Sequence, residues 1–267
     1  MKKYSFRFLT MLIAFSSGLL LHQYWAGERL GASSGVVRTC PGHEKALSDE
    51  EAFSKEILAT LFPYNGPNNG TWADSSQLEK YDRCTVIRVL KEAERNASGD
   101  REVSIAFLLS VLRYDYETNR LKLLSAVSDC RRQDYPRQPN CAYFVSDYLI
   151  ELARRGDLSF IAPLFGVSGI SDGAFSESLG VFYSDILNEH PNEFVEALTL
   201  LSTESQDRVC EMTGAEDGGG MSSERLRAVK RSLRAIGRQD RLLVPVVTSC
   251  EAAINQSNIR RTVIEKH

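Results

Sequence analysis

The run Gly169-Ile170-Ser171-Asp172-Gly173 fits the G-x-S-x-G pattern, which places a nucleophilic serine on a sharp turn. A hydroxyl nucleophile needs a base to take its proton and an acid to orient that base. Only His190 and His267 follow Ser171 in the chain. Ser171, Asp185 and His190 are therefore the candidate catalytic set of an exported hydrolase. Their setting argues against it. An elbow needs a strand before it and a many-stranded sheet around it, and the segment before Ser171 is a short apolar turn, Leu158 to Phe165. His190 lies 19 positions on, at the far end of the helix that follows. A helix of that length separates its ends by roughly 25 Å at about 1.5 Å per residue. Ser171 or Asp172 as a helix N-cap accounts for the same letters.

Other templates find less. Histidine occurs at only four positions, with His22 in an apolar leader, His43 in a linker, His190 at a helix junction and His267 at the terminus. No HExxH, EF-hand loop, P-loop or GxGxxG is present. The reading assigns no metal ligands and no cofactor. Carboxylate pairs such as Asp49/Glu50/Glu51 and Glu92/Glu94 fall on exposed helical positions, and a glycosidase-type pair would form only in space.

The six cysteines are Cys40, Cys84, Cys130, Cys141, Cys210 and Cys250, and none forms a CxxC pair. That spacing opposes zinc and thioredoxin-type chemistry. An even count spread along the chain predicts disulfides in an oxidising compartment. Cys130 and Cys141 bracket a Pro-rich loop and are the first expected pair. Cys210 with Cys250 and Cys40 with Cys84 follow by order along the chain.

Lys2, Lys3 and Arg7 precede the apolar run Phe8 to Leu21, the arrangement of an export signal. Tyr24 before Ala26 is a poor cleavage site, so residues 1–26 are either a cleaved signal or a retained anchor. Either way the expected location is extracytoplasmic: periplasmic, envelope-anchored or secreted. The 267 residues carry a formal charge of -3, and without the leader 29 basic residues face 35 acidic ones. That balance excludes a general nucleic-acid binder.

The elements that would position these residues are helices. Phe175, Leu179, Phe182, Tyr183, Ile186 and Leu187 recur as one stripe, and Phe194, Leu198 and Leu201 continue it after His190-Pro191. Pro191 suits a first turn, where its missing N–H costs nothing. Ser48 with Glu51 forms a capping box before Phe53, Ile57, Leu61 and Phe62. Further helices are predicted from Ser76 to Arg95, from Asp100, from Thr118 with Leu121, Leu124 and Val127 inward, and from Cys141 to Arg155, with Gly156 as its stop. A short one follows from Gln206 to Met212, another opens at Ser223 and ends at Gly237, and the last, from near Gln239 to Ile254, is kinked at Pro245. The expected fold is all-α, about ten helices stacked as antiparallel pairs in a bundle or short solenoid. Residues 27–47 read as a linker, 48–256 as a single α-helical domain and 257–267 as a tail.

Asp157 to Leu187, with Pro163, Asp172 and the aliphatic helix after it, resembles the cadence of a HEAT or armadillo repeat over one unit. The resemblance implies a surface that binds proteins or peptides. The strongest surface feature is the helix from Ser223, where Arg225, Arg227, Lys230, Arg231, Arg234, Arg238 and Arg241 face only Glu224 and Asp240. Arg227, Lys230, Arg231 and Arg234 are the candidate binding residues for an acidic protein partner or an anionic surface. The functional expectation is an adaptor or inhibitor/immunity-type protein without catalysis. The alternatives are the hydrolase above and a single-pass, membrane-tethered structural subunit.

Overall fold

Seven consecutive residues of one helix, Ser104 to Ser110, are all buried, so that helix is packed on every side. The two hydroxyls this costs are satisfied within the helix, Ser104 Oγ donating to the Asp100 carbonyl at 2.8 Å and Ser110 Oγ to Ala106 at 2.8 Å. The computed structural model describes residues 47–65, 71–132, 139–171, 173–215 and 220–264. The expected signal and all of the expected linker but Leu47, together with Cys40, His22, His43 and His267, lie outside them.

In chain order the helices are α1 (Leu47–Leu61), α2 (Arg83–Glu94), α3 (Asp100–Val111), α4 (Tyr116–Arg132), α5 (Pro139–Arg154) and α6 (Ile161–Phe165). They continue as α7 (Gly173–Glu189), α8 (Pro191–Thr199), α9 (Thr203–Gly214), α10 (Ser223–Gln239) and α11 (Val244–Ile264). Extended pairing among the described residues is confined to β1 (Tyr64–Asn65) and β2 (Thr71–Trp72), two residues each. The fold is all-α, as the periodicity predicts. No helix among the described residues is long and apolar enough to cross a membrane.

The first half is organised around α3, which packs against α2, α4, α5 and β2. The second half is organised around α9, held between α7 and α11, with α10 against α11 and α7. The stripe predicted for α7 is buried at every position, and Phe194 and Leu198 continue it in α8. Gly156, at a φ of 98°, ends α5: its N–H reaches the Ala153 carbonyl and that of Asp157 reaches Leu152. Cys210 on α9 and Cys250 on α11 form a disulfide across the tightest helix pair, with Cα atoms 5.2 Å apart. Cys84 and Cys130 are also disulfide-bonded. The pairings expected for them involve Cys40 and Cys141, whose side chains fall outside the described residues.

Several local expectations are corrected. The helix predicted from Ser76 to Arg95 is split into a 3-10 turn, Ser75–Lys80, and α2, because Asp82 caps the Thr85 N–H at 2.9 Å and restarts the chain. Leu121 points outward at 62% exposure, and Leu123 takes its place in the core. Pro245 does not kink the last helix: it sits in the first turn of α11, where its absent N–H breaks no bond. α11 then runs on to Ile264, so most of the expected tail 257–267 is helical. Gly237 does not end α10 either, since Asp240 caps it. Asp240 also accepts from the Leu242 N–H at 2.8 Å, which turns Leu242 to Val247 into helix, although its β-branched residues favour a strand.

Candidate functional site

Ser171 lies in extended backbone after a 3-10 turn, Ser168–Ile170, with no strand before it. Its side chain is buried at 6% exposure, and its hydroxyl donates to the Ser168 carbonyl at 2.9 Å with the Met212 sulfur 3.9 Å away. The Arg208 guanidinium donates to the Ser171 carbonyl at 3.3 Å, pinning the same turn. Asp185, on α7, accepts from Arg225 at 2.6 Å and faces Arg154 at 3.6 Å. His190 follows the end of α7, and its N–H reaches the Ile186 carbonyl at 2.7 Å. Ser171 thus precedes a 17-residue helix and His190 follows it. The Ser171 and Asp185 side chains are each engaged elsewhere, and among the described residues no hydrogen bond joins either of them to His190.

α10 divides sharply into two faces. Val229, Leu233 and Ile236 are buried, and Arg227, Arg231, Arg234 and Arg238 share the opposite side at steps of four, three and four. Arg234 is committed to Glu251 of α11 in a two-pronged pair at 3.0 and 2.5 Å. Arg225 leaves the face to hold Asp185. Arg227 turns its Nε back to the Ser223 carbonyl at 3.0 Å. Lys230 is half-buried beside the core stripe. Arg227, Arg231 and Arg238 make no ion pair among the described residues.

A second feature has no counterpart in the motifs of the sequence. The chain leaving β2 crosses α5 and closes a cleft of about 400 Å³. Phe107 of α3 and Tyr148 of α5 form its floor, stacked at 4.0 Å between ring centroids. Trp72 stands over Tyr148 at 5.8 Å. The Tyr148 hydroxyl accepts from the Ala73 N–H at 2.7 Å and shares a hydrogen bond with Ser104 at 3.0 Å, locking the wall to the floor. Burial pushes this phenol well above its usual range.

Three carboxylates line the cleft. Asp74 accepts from the Ser76 hydroxyl at 2.6 Å, the Ser76 N–H at 3.0 Å and Gln77 at 2.9 Å, which hold its pKa low. Glu151 accepts from Ser75 at 2.9 Å and from Arg155 at 2.8 Å. Asp147 receives no hydrogen bond among the described residues. Its burial pushes the carboxyl up to about 6, against the attraction of Arg154. No cluster of three or more metal-ligating side chains exists among the described residues.

No family model, no curated protein and no solved structure matches the chain. The cleft escapes a reading by motif because Trp72 and Asp147 are 75 positions apart and meet only in the fold. One local signal was available: Asp147 interrupts the otherwise apolar stripe of α5 between Phe144, Tyr148 and Ile150. A half-buried acid beside a helix face that is otherwise core is costly without a reason.

Proposed function

We propose that this chain is an exported protein that binds an acidic protein partner through the outer face of α10 and catalyses no reaction. An adaptor and an inhibitor or immunity-type protein both fit this reading. The observation that carries it is the line of Arg227, Arg231 and Arg238, exposed on one side of a helix whose other side is core. Long-chain cations that make no ion pair among the described residues favour an anionic partner elsewhere, and guanidinium forks suit carboxylates. The Cys210–Cys250 disulfide supports the oxidising compartment that export requires. Residues 1–26 would serve as the signal or the membrane tether. The one-unit HEAT or armadillo cadence is in keeping with a binding role and adds no site of its own.

The cleft bears on the hydrolase alternative. Hydrolysis by two carboxylates needs both free to reach substrate. Glu151 is engaged by Arg155 and Ser75, so Asp147 stands alone, which favours binding over catalysis.

Poly-L-glutamate is a defined probe for the α10 face. The wild-type chain binds it with an affinity that falls steeply as salt rises. The variant carrying Arg227→Gln, Lys230→Gln, Arg231→Gln and Arg234→Gln loses most of that binding. Equal binding by both chains contradicts the proposed surface.

A further inference from the structure

We infer that the cleft between the Trp72–Ser76 segment and α5 is a binding site for an ammonium or guanidinium group, taken up by the Asp147 carboxylate beside the Trp72 ring. This is a separate site from the α10 face and does not depend on it. Its size, about 400 Å³, is that of a pocket for one long side chain or a small organic cation.

The charges of the lining select the sign of the ligand. Asp74 and Glu151 have their donors within the protein, and Asp147 has none among the described residues. Both guanidiniums on the rim are already turned to acids, Arg155 to Glu151 at 2.7 Å and Arg154 to Asp185 at 3.6 Å. An anion entering the cleft would meet three carboxylates. A cation would meet one that lacks a donor, together with the indole ring of Trp72, whose face is electronegative.

The energetics favour a charged donor over a neutral one. A half-buried carboxylate that accepts no hydrogen bond is poorly stabilised by a guanidinium at longer range, and a charge-assisted hydrogen bond relieves it more than a neutral hydroxyl does. An ammonium or guanidinium therefore gains more in this cleft than a sugar of the same size. A free alkylamine and a lysine or arginine side chain of a partner protein present the same group.

The test uses the chain with Trp25→Phe, so that Trp72 is the remaining tryptophan of the two. Its fluorescence is followed on addition of n-butylammonium, agmatine, a blocked Gly-Gly-Lys-Gly-Gly peptide, glucose and acetate, each to about 10 mM, the range of weak small-ligand affinities. The cations give a saturable change and glucose and acetate give none. A peptide that binds at least tenfold tighter than n-butylammonium assigns the site to a partner's side chain, and equal affinities assign it to a small amine. Asp147→Asn weakens the cations at least tenfold, whereas Asp129→Asn, an exposed acid on α4, leaves them unchanged.

A second measurement keeps the proposal open to refutation if Asp147→Asn fails to fold. In the wild-type cleft the groups facing Asp147 are Glu151, Arg154 and Arg155 of its own helix, Asp74 of the crossing segment and, through Arg154, Asp185 of α7. With Asp147 titrating at about 6, n-butylammonium affinity falls as pH is lowered from 7 to 5. No saturable response to any cation, a response equal to that for glucose, or binding unaffected by both Asp147→Asn and pH overturns the inference.

Discussion

Gly180 of α7 lies against the backbone of Met212 in α9, so close that a Cβ on it would stand 2.6 Å from the Met212 carbonyl oxygen. Gly214 repeats the relation on the next pair, where a Cβ would stand 2.6 Å from the Ile254 carbonyl oxygen of α11. Three helices therefore meet at backbone distance, with the Cys210–Cys250 disulfide and a Ser249 to Asp207 hydrogen bond of 2.8 Å across the α9/α11 seam. α10, which carries the proposed binding face, packs on α11 and α7 of this core.

Gly180→Ala is expected to destabilise the chain by about 2–3 kcal/mol, because the obstacle is backbone and cannot rotate away. Gly237→Ala is the matched contrast. Its Cβ would meet side-chain atoms of Val244 and Val247 at 3.7 Å, ordinary contact, inside a helix. It should raise stability by about 0.5–1 kcal/mol from helix propensity. Denaturant unfolding of both variants measures the two signs, and a destabilising effect at both positions would refute the packing argument.

Removal of the Cys210–Cys250 bond frees a loop spanning 40 residues. Loop-entropy arguments give about 3–4 kcal/mol for a closure of that length. Cys210→Ser with Cys250→Ser should lower the unfolding midpoint accordingly, and the loss should not deepen further with α10 substitutions on the solvent side.

Asp147 links stability to pH in the unusual direction for a carboxylate. Its folded value, about 6, lies above the ordinary 3.8, so protonation is favoured by the folded state. Its contribution is fully present below about pH 4 and is lost as pH rises through 6. Asp147→Asn should therefore be neutral at pH 4 and stabilising at pH 8, by about 1–2 kcal/mol after solvent screening is allowed for. Chemical unfolding at the two pH values reads the difference, and a variant less stable than wild type at pH 8 would show that Asp147 is paired.

Tyr148→Phe removes the acceptor of the Ala73 N–H and a partner of Ser104, both buried. An orphaned buried donor costs about 1–3 kcal/mol. Slower-exchanging amides turn into faster ones there, so hydrogen exchange at Ala73 is the direct readout. Unchanged protection would mean that the N–H has another acceptor.

The stripes of α7 and α8 were legible in the sequence because large apolar residues recur along them, from Phe175 through Leu198, with Gly180 and Ser184 buried between them. The stripe of α4 was not. Its inward positions are Asn119, Leu123, Val127 and Cys130, and two of those four are not aliphatic. Asn119 earns its buried place by donating to the carbonyls of Tyr114 and Asp115, where the chain turns through positive φ at Arg113 and Asp115. An apolar-only count shifts to Leu121 instead. The Cys210–Cys250 pair followed from order along the chain, and the arginine face of α10 from charge spacing alone. What spacing could not supply was occupancy: Arg234 is tied to Glu251 and Arg225 to Asp185, which only the fold brings near.

The most direct test of a binding role for α10 is capture from an envelope extract, quantified by mass spectrometry, with wild-type chain and with the Arg227→Gln, Lys230→Gln, Arg231→Gln, Arg234→Gln variant. The account predicts a discrete acidic protein retained by the wild type in stoichiometric amount and lost from the variant, with Arg231 contributing more than the already paired Arg234. The same protein retained equally by both chains would contradict it.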